Sequence, residues 1–476
     1  MNLLAYGAEL PESQPTPAVR ERYPLLPGPR GPRSRAPYIP VPAKYTLSLL
    51  FAIIWTALSV WLSVPWVNGL AGIVGAPAAI GAITFIAYVP GFMQAFLLAT
   101  ISLDRRPALR DASRYPPLTI LIACYNEAEN IADTLRSIGA QDYPGALEIL
   151  VIDDGSTDET VAIAKATAAQ PDLLPERFDV HVVLAERNEG KAAALNRGLA
   201  IARHELVVTI DGDSYLYGGA LRHIVERYLG DPAGTRAVAG AVLVRNSRDT
   251  WIARAQEWDY FHGIAAVKRM QSMYHGTLVA QGAFSLYERE ALREIDGWPE
   301  SVGEDIVLSW AMLKRGWRIG YCEDAVLFTR VPEKLRVFAR QRQRWSRGML
   351  EAFKAHPSML FKARMTTLFI WWNAFFLPLD LVYSLIFIPG VFAAIFLHWY
   401  YIAGPMTLAV LPLALVWNAI IFRVQRRMFR RQELRVRRNI FGFLFYMLIY
   451  SMLLQPVCVL GYIKEVFGVH KRWGTK

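Results

Sequence analysis

"VVTIDGDSYL", residues 207–216, takes a strand-forming run directly into Asp211-Gly212-Asp213. Val207 to Ile210 reads as a buried strand. Two carboxylates one residue apart at its end repel each other unless something positive lies between them. A hard divalent cation takes oxygen ligands of this kind and bridges them to phosphate oxygens, and the central glycine lets backbone approach a ligand closely. A solvated turn explains the triplet equally well when it is taken alone, so the surrounding sequence has to decide.

Upstream, "LTILIACYNEAENIADTLRSIG" (118–139) reads as strand, turn and helix, and "ALEILVIDDGSTDETVAIAKATA" (146–168) repeats the order. "FDVHVVLAE" (178–186), the helical "GKAAALNRGLAIARH" (190–204) and "ELVVTI" (205–210) continue it. Apolar strands alternating with helices predict a parallel sheet covered on both faces. Ligands collect at the carboxyl ends of such strands, where Tyr125-Asn126-Glu127, Asp153-Asp154 and Asp211-Gly212-Asp213 all fall. Ser156 and Glu159 have capping-box spacing, which assigns Glu159 to a helix cap. No GxxxxGK[ST] or GxGxxG loop follows the first strand, which excludes P-loop and dinucleotide enzymes.

Three further motifs carry chemistry. Gly190-Lys191 opens a helix where a lysine could meet a diphosphate, or could be an ordinary surface charge. Glu304-Asp305 in "VGEDIVLSWAMLKRGW" opens another; acids suit that helix end electrostatically, and an acid beside a bound sugar also serves as a general base. "FARQRQRWSRG" (338–348) puts Gln341, Arg344 and Trp345 on one helical face, with Arg340, Arg342 and Arg347 expected to face lipid headgroups.

The remaining chain is apolar. Tyr45–Leu103 and Asn439–Ile463 hold no Asp, Glu, Lys or Arg, and Met365–Phe422 holds only Asp380. A crossing needs roughly 20 apolar residues, so 45–103 predicts two membrane helices broken near Pro65–Gly69, and 365–463 about three, the first two broken near Gly404-Pro405. Asp380, beside Pro378, is expected to face the bundle interior. Residues 1–44 read as a disordered basic, Pro-rich tail, 104–335 as a polar domain, 336–364 as interfacial amphipathic helices and 464–476 as a basic tail. Basic flanks put both ends of the first hairpin, and the 423–438 segment with eight Arg, on the cytoplasmic side of a cell (inner) membrane. A fifth full crossing would then leave Lys464, Lys471 and Arg472 outside, against the same rule. The net charge of +11 thus belongs beside a lipid bilayer and not to nucleic-acid binding. Three scattered cysteines make no metal or disulfide pattern and suit a reducing cytosol.

In order, Tyr125-Asn126-Glu127, Asp153-Asp154-Gly155, Gly190-Lys191, Asp211-Gly212-Asp213, Gly303-Glu304-Asp305 and Gln341-Arg342-Gln343-Arg344-Trp345 resemble the processive membrane-embedded family 2 glycosyltransferases. That group includes the cellulose, chitin, hyaluronan and poly-N-acetylglucosamine synthases. The resemblance spans roughly 45–463. It implies an α/β GT-A (nucleotide-diphospho-sugar transferase) domain in the cytosol, inserted between transmembrane helices, which uses a UDP-sugar and Mg²⁺ or Mn²⁺. Carried over position by position, it implies that Tyr125, Glu127, Asp153, Asp154, Lys191 and Asp211 bind the nucleotide-sugar. Asp211 and Asp213 match the metal carboxylates and Asp305 the catalytic base, while Glu304, Gln341, Arg344 and Trp345 match the acceptor platform. The implied reaction is an inverting, processive β-transfer onto a growing polysaccharide, with room for accessory membrane subunits. "VAQGAFSLYEREAL" (279–292) looks most like the poly-N-acetylglucosamine and chitin branch, which favours UDP-N-acetylglucosamine; Ala280-Gln281 departs from that branch's Ser-Gly or Cys-Gly. Two alternatives stand beside this reading: transfer of one sugar to a polyprenyl-phosphate or other lipid acceptor, and a transporter or channel with a nucleotide-sensing domain.

Overall fold

The computed structural model describes residues 19–28, 38–172 and 178–469. The remainder of the tail, and Lys471 and Arg472, lie outside the described residues.

Among the described residues, eight strands form one sheet in the order β3-β2-β1-β4-β7-β6-β8-β5. They are β1 Leu118–Cys124, β2 Leu147–Asp153, β3 Phe178–Leu184, β4 Leu206–Asp211, β5 Ser214–Leu216, β6 Thr235–Val244, β7 Phe284–Glu288 and β8 Arg318–Thr329. β1 and β2 are buried at every position because helices cover both faces, which is why their sequences run apolar without alternation. The expected parallel arrangement holds for β3-β2-β1-β4. Beyond β4 the sheet is mixed: β7 runs antiparallel to β4 and β6, and β8 runs parallel to β6. The parallel register aligns Cys124 with Asp153 and Ala123 with Asp211, so the acidic ends of β2 and β4 flank the end of β1.

Among the described residues, five helices are long and apolar enough to cross a membrane: Val41–Val74, Ala76–Ser102, Thr367–Phe396, Thr407–Arg431 and Ile440–Val466. The first break falls at Gly75 and not at Pro65–Gly69. Val41–Val74 runs through Pro65 without interruption, and Gly75 turns the chain at φ 83°, a conformation that favours glycine. Thr367–Phe396 is one continuous helix, and the second break lies before Pro405 as expected.

Three local expectations are corrected. Part of the tail is ordered, since Arg20 donates to the carbonyls of Tyr228, Ala233 and Thr235 and Leu25 bridges to Ala112. The capping box at Ser156–Glu159 does not form. Asp158 Oδ1 accepts from Thr160 N at 3.0 Å instead, while Ser156 Oγ accepts from Asn126 N at 2.9 Å. Finally, Arg342 and Arg347 are buried and do not face headgroups. Arg342 Nη2 lies 2.8 Å from Asp259 Oδ2, and Arg347 Nε lies 3.2 Å from Glu465 Oε2.

The last helix packs along the domain from end to end. Asn439 Nδ2 donates to Arg254 O at 2.9 Å, Phe445 meets Trp251 and Tyr450 OH donates to Asp259 Oδ2 at 2.9 Å. Near its other end, Lys464 Nζ donates to Gln343 Oε1 at 2.6 Å and Glu465 pairs with Arg347 and Lys354.

Candidate active site

The crevice begins where three loops leave β1, β2 and β4. Asn126, at φ 55°, turns its Oδ1 to accept from Thr157 N at 2.9 Å, while Glu127 N donates to Thr160 Oγ1 at 2.8 Å. These bonds tie the β1 loop to the β2 loop. Gly212 sits close under Glu127; a Cβ there would stand 3.1 Å from Glu127 Cγ. Such an approach favours glycine. Tyr125 is half-buried at the same edge, and among the described residues its hydroxyl has no hydrogen bond.

Asp153 accepts from Ser156 N through Oδ2 at 3.0 Å, while its buried Oδ1 has no partner among the described residues. Asp154 spends both oxygens on backbone, accepting from Glu189 N at 3.0 Å and Gly190 N at 2.7 Å. It thereby positions the turn before helix Lys191–Ile201. That turn aims Lys191 into the crevice, where its Nζ bonds Asp211 Oδ1 and lies 3.9 Å from Glu304 Oε1. Burial opposes the Lys191 charge, but Asp211 and Glu304 more than offset it and its pKa is raised.

Carboxylates outnumber cations here. Burial, then the charges of Asp211 and Glu127, push Asp213 up to about 7. Burial and adjacent Asp305 push Glu304 up to about 7, against Lys191 and Arg344. Asp305 sits in the first turn of helix Glu304–Lys314, its Oδ1 accepting from Ile306 N at 2.8 Å and its Oδ2 facing Gly282 N at 3.5 Å. The crevice thus brings Lys191, Asp211, Asp213, Glu304 and Asp305 together.

Helix Leu335–Ala355 supplies the other wall. Gln341 Oε1 is buried without a partner among the described residues, and Trp345, 38% exposed, lies 6.3 Å from the Tyr260 ring. Arg344 is near enough to act on Glu304 and Tyr260.

Two features escaped the sequence reading. Lys268, in helix Ala266–Met273, is buried with its Nζ on the Val279 carbonyl, and burial lowers it to about 7 against the pull of Asp305. It holds the 279–282 segment, whose Ala280 N donates to Ser309 Oγ at 2.8 Å and whose Gly282 has Lys191 beside it. Gln281 Nε2 ties the same segment to Gly240 O at 2.5 Å. A lysine in the first turn of a helix gives no local signal of such a role. The second is the Asp259–Arg342–Tyr450 cluster, assembled from three distant stretches.

The family model described as glycosyltransferase like family 2 matches residues 116–348, the span from the start of the sheet to the QRQRW helix. Over those residues the chain is similar to glycosyltransferase family 2. Poly-beta-1,6-N-acetyl-D-glucosamine synthase of Staphylococcus aureus (strain COL) is 30% identical to it over 276 residues, covering 56% of this chain and 64% of that protein. The synthase of the same description from Staphylococcus epidermidis is 31% identical over 254 residues, covering 53% and 59%. The chain thus spans less than two thirds of the length of these relatives. Among solved structures, the mannosyltransferase PcManGT from Pyrobaculum calidifontis, in complex with GDP-Man and Mn2+, has a TM-score of 0.56 at 21% identity. That likeness covers 82% of this chain and 99% of the mannosyltransferase, and it establishes the fold. The sheet domain therefore has a GT-A fold, joined to helices of membrane-spanning length.

Proposed function

We propose that the protein is an inverting, processive β-glycosyltransferase that polymerises UDP-N-acetylglucosamine at a membrane, with its catalytic domain on the cytoplasmic face of the cell membrane. The observation that carries this reading is the meeting of Lys191, Asp211, Asp213, Glu304 and Asp305 in one crevice. The curated relatives' description as poly-beta-1,6-N-acetyl-D-glucosamine synthases supports the choice of sugar.

Asp211 and Asp213 fit a Mg²⁺ or Mn²⁺ ion. They are hard oxygen donors, and Asp213 is held near 7 partly by the Asp211 and Glu127 charges that a cation would relieve. Among the described residues no three His, Cys, Asp or Glu groups are placed to hold a metal ion by themselves, so diphosphate oxygens would complete such a site. The ion would stabilise charge on the leaving diphosphate. Lys191 adds a fixed cation beside the same position, and the free Asp153 Oδ1 accepts from the nucleotide base. Asp305 takes the proton of the acceptor hydroxyl as its oxygen attacks the anomeric carbon. The bond to the diphosphate breaks with its electron pair leaving on UDP, and an α-linked donor becomes a β-linked product. Trp345 stacks on the acceptor sugar, and Gln341 and Arg344 bind its polar groups.

The test is UDP release by purified, nanodisc-held protein with Mg²⁺ or Mn²⁺ across a panel of UDP-sugars, with products sized. Turnover of UDP-N-acetylglucosamine into a high-mass ladder is expected. A product bearing one sugar on a lipid would replace polymerisation with single transfer, and nucleotide binding without UDP release from any donor would remove the transferase reading.

A further inference from the structure

A cleft of about 610 Å³ opens where helix Thr407–Arg431 ends and the chain turns toward Ile440. Arg426, Arg430, Arg437 and Arg438 line it, and Trp258 and Phe443 wall it at a ring separation of 4.8 Å. The neighbouring Arg431 is paired with Glu323 and Asp324. The four cleft arginines have no carboxylate partner among the described residues. Four uncompensated guanidiniums over an aromatic wall, at the end of a membrane-length helix, match a molecule with a phosphate at one end and hydrocarbon at the other. A freely soluble phosphate compound would use the arginines and leave the wall idle.

We propose that this cleft seats an anionic phospholipid, its phosphate on the arginines and an acyl chain along Trp258 and Phe443. Trp258 Nε1 donates to Asn439 O at 3.0 Å, and the next residue, Asp259, pairs with Arg342 of the QRQRW helix. The seat therefore abuts the helix that braces the acceptor platform.

Full-length protein would be reconstituted with phosphatidylcholine alone or with added phosphatidylglycerol, extracted gently, and its retained lipid counted by native mass spectrometry. Retention of phosphatidylglycerol about tenfold over phosphatidylcholine is expected. It should be lost in the R426Q/R430Q/R437Q/R438Q variant, which keeps the structural Arg431; size-exclusion behaviour checks its folding. Equal retention by that variant would overturn the proposal, as would displacement by millimolar inorganic phosphate, which would make the cleft a soluble-anion site. The readout is binding, so it stands apart from the outcome for transferase activity.

A separate observation concerns Ile440–Val466. At about 1.5 Å per residue its 27 residues span about 40 Å, yet one end is bonded through Asn439 to Arg254 and the other through Glu465 to Arg347 and Lys354 of the sheet domain and its QRQRW helix. A helix crossing the bilayer would carry one end away from that domain. We infer that this helix lies along the membrane-facing side of the domain without crossing. Lys464 then stays on the side of the 423–438 arginines, as the basic-flank rule requires. Single cysteines at Phe467, Trp399 and Glu186, all exposed, would be labelled with an impermeant maleimide in right-side-out and inverted vesicles. Labelling of F467C together with E186C, and opposite to W399C, is expected. Labelling of F467C together with W399C would overturn the inference.

Discussion

The catalytic domain shows two charged faces that obey opposite rules. In the crevice, Asp211, Asp213, Glu127, Glu304 and Asp305 crowd around Lys191, and burial and mutual repulsion push Asp213 and Glu304 up to about 7, with Lys191 offsetting them only in part. Away from the crevice, buried arginines have counterparts: Arg342 with Asp259, Arg347 with Glu465, and Arg106 and Arg269 with Asp104 and Glu323. Balanced charge is scaffold. Unbalanced buried charge marks where a ligand of opposite sign is to come, and it costs stability until that ligand arrives.

Substitutions can break this contrast. The largest effect is expected at Asp305→Asn, which should lower kcat by about 10²–10⁴-fold while leaving UDP-sugar binding and thermal stability near wild type. Full turnover with intact donor binding would end its assignment as base. On the opposite face, Arg342→Met should cost about 3–5 kcal/mol of stability by stranding Asp259, and R342M/D259L should recover much of it. Thermal melts of both variants check this. Asp213→Asn should behave in the reverse sense from Arg342→Met. Melting without metal should show a gain on the order of 1 kcal/mol, because a repelling carboxylate is gone, while metal-dependent UDP binding, read by calorimetry, should weaken at least about tenfold.

Lys268→Met sharpens the comparison at its smallest scale, since this lysine is buried beside the unbalanced face without a carboxylate bonded to it. Its folded pKa of about 7 lies below the ordinary lysine value. Between about 7 and 10 the unfolded chain therefore binds a proton that the folded chain does not, and native stability rises with pH across that window. The Met variant lacks this slope, so its stability advantage over wild type should shrink as melts move from pH 7 to pH 10. Parallel curves would show that Lys268 does not titrate there.

Legibility in the sequence followed range. The ends of β1, β2 and β4 could be read because each motif is contiguous and its strand is bounded by turn residues. The antiparallel β7 and the pairing of short β5 with β8 could not, because hydrophobic pattern says nothing about which distant edge a strand joins. Gly75 displaced the break from Pro65 because a long apolar helix tolerates a proline that a soluble helix would not. Arg342 and Arg347 looked like surface charges because their partners, Asp259 and Glu465, lie far away in sequence. Roles inside the crevice, such as Asp154 bracing a turn and Lys268 holding 279–282, depend on contacts no spacing encodes.

Gly303 and Gly348 touch through bare backbone, and a Cβ on Gly348 would stand 2.6 Å from the Gly303 Cα. Glu304 and Asp305 begin at the very next residue, and Trp345 lies one turn before Gly348. With no side chain between them to flex, the two helices work as a pinned hinge without play. Under the proposed mechanism, a tilt or slide of the QRQRW helix would carry directly to the helix start that holds Asp305.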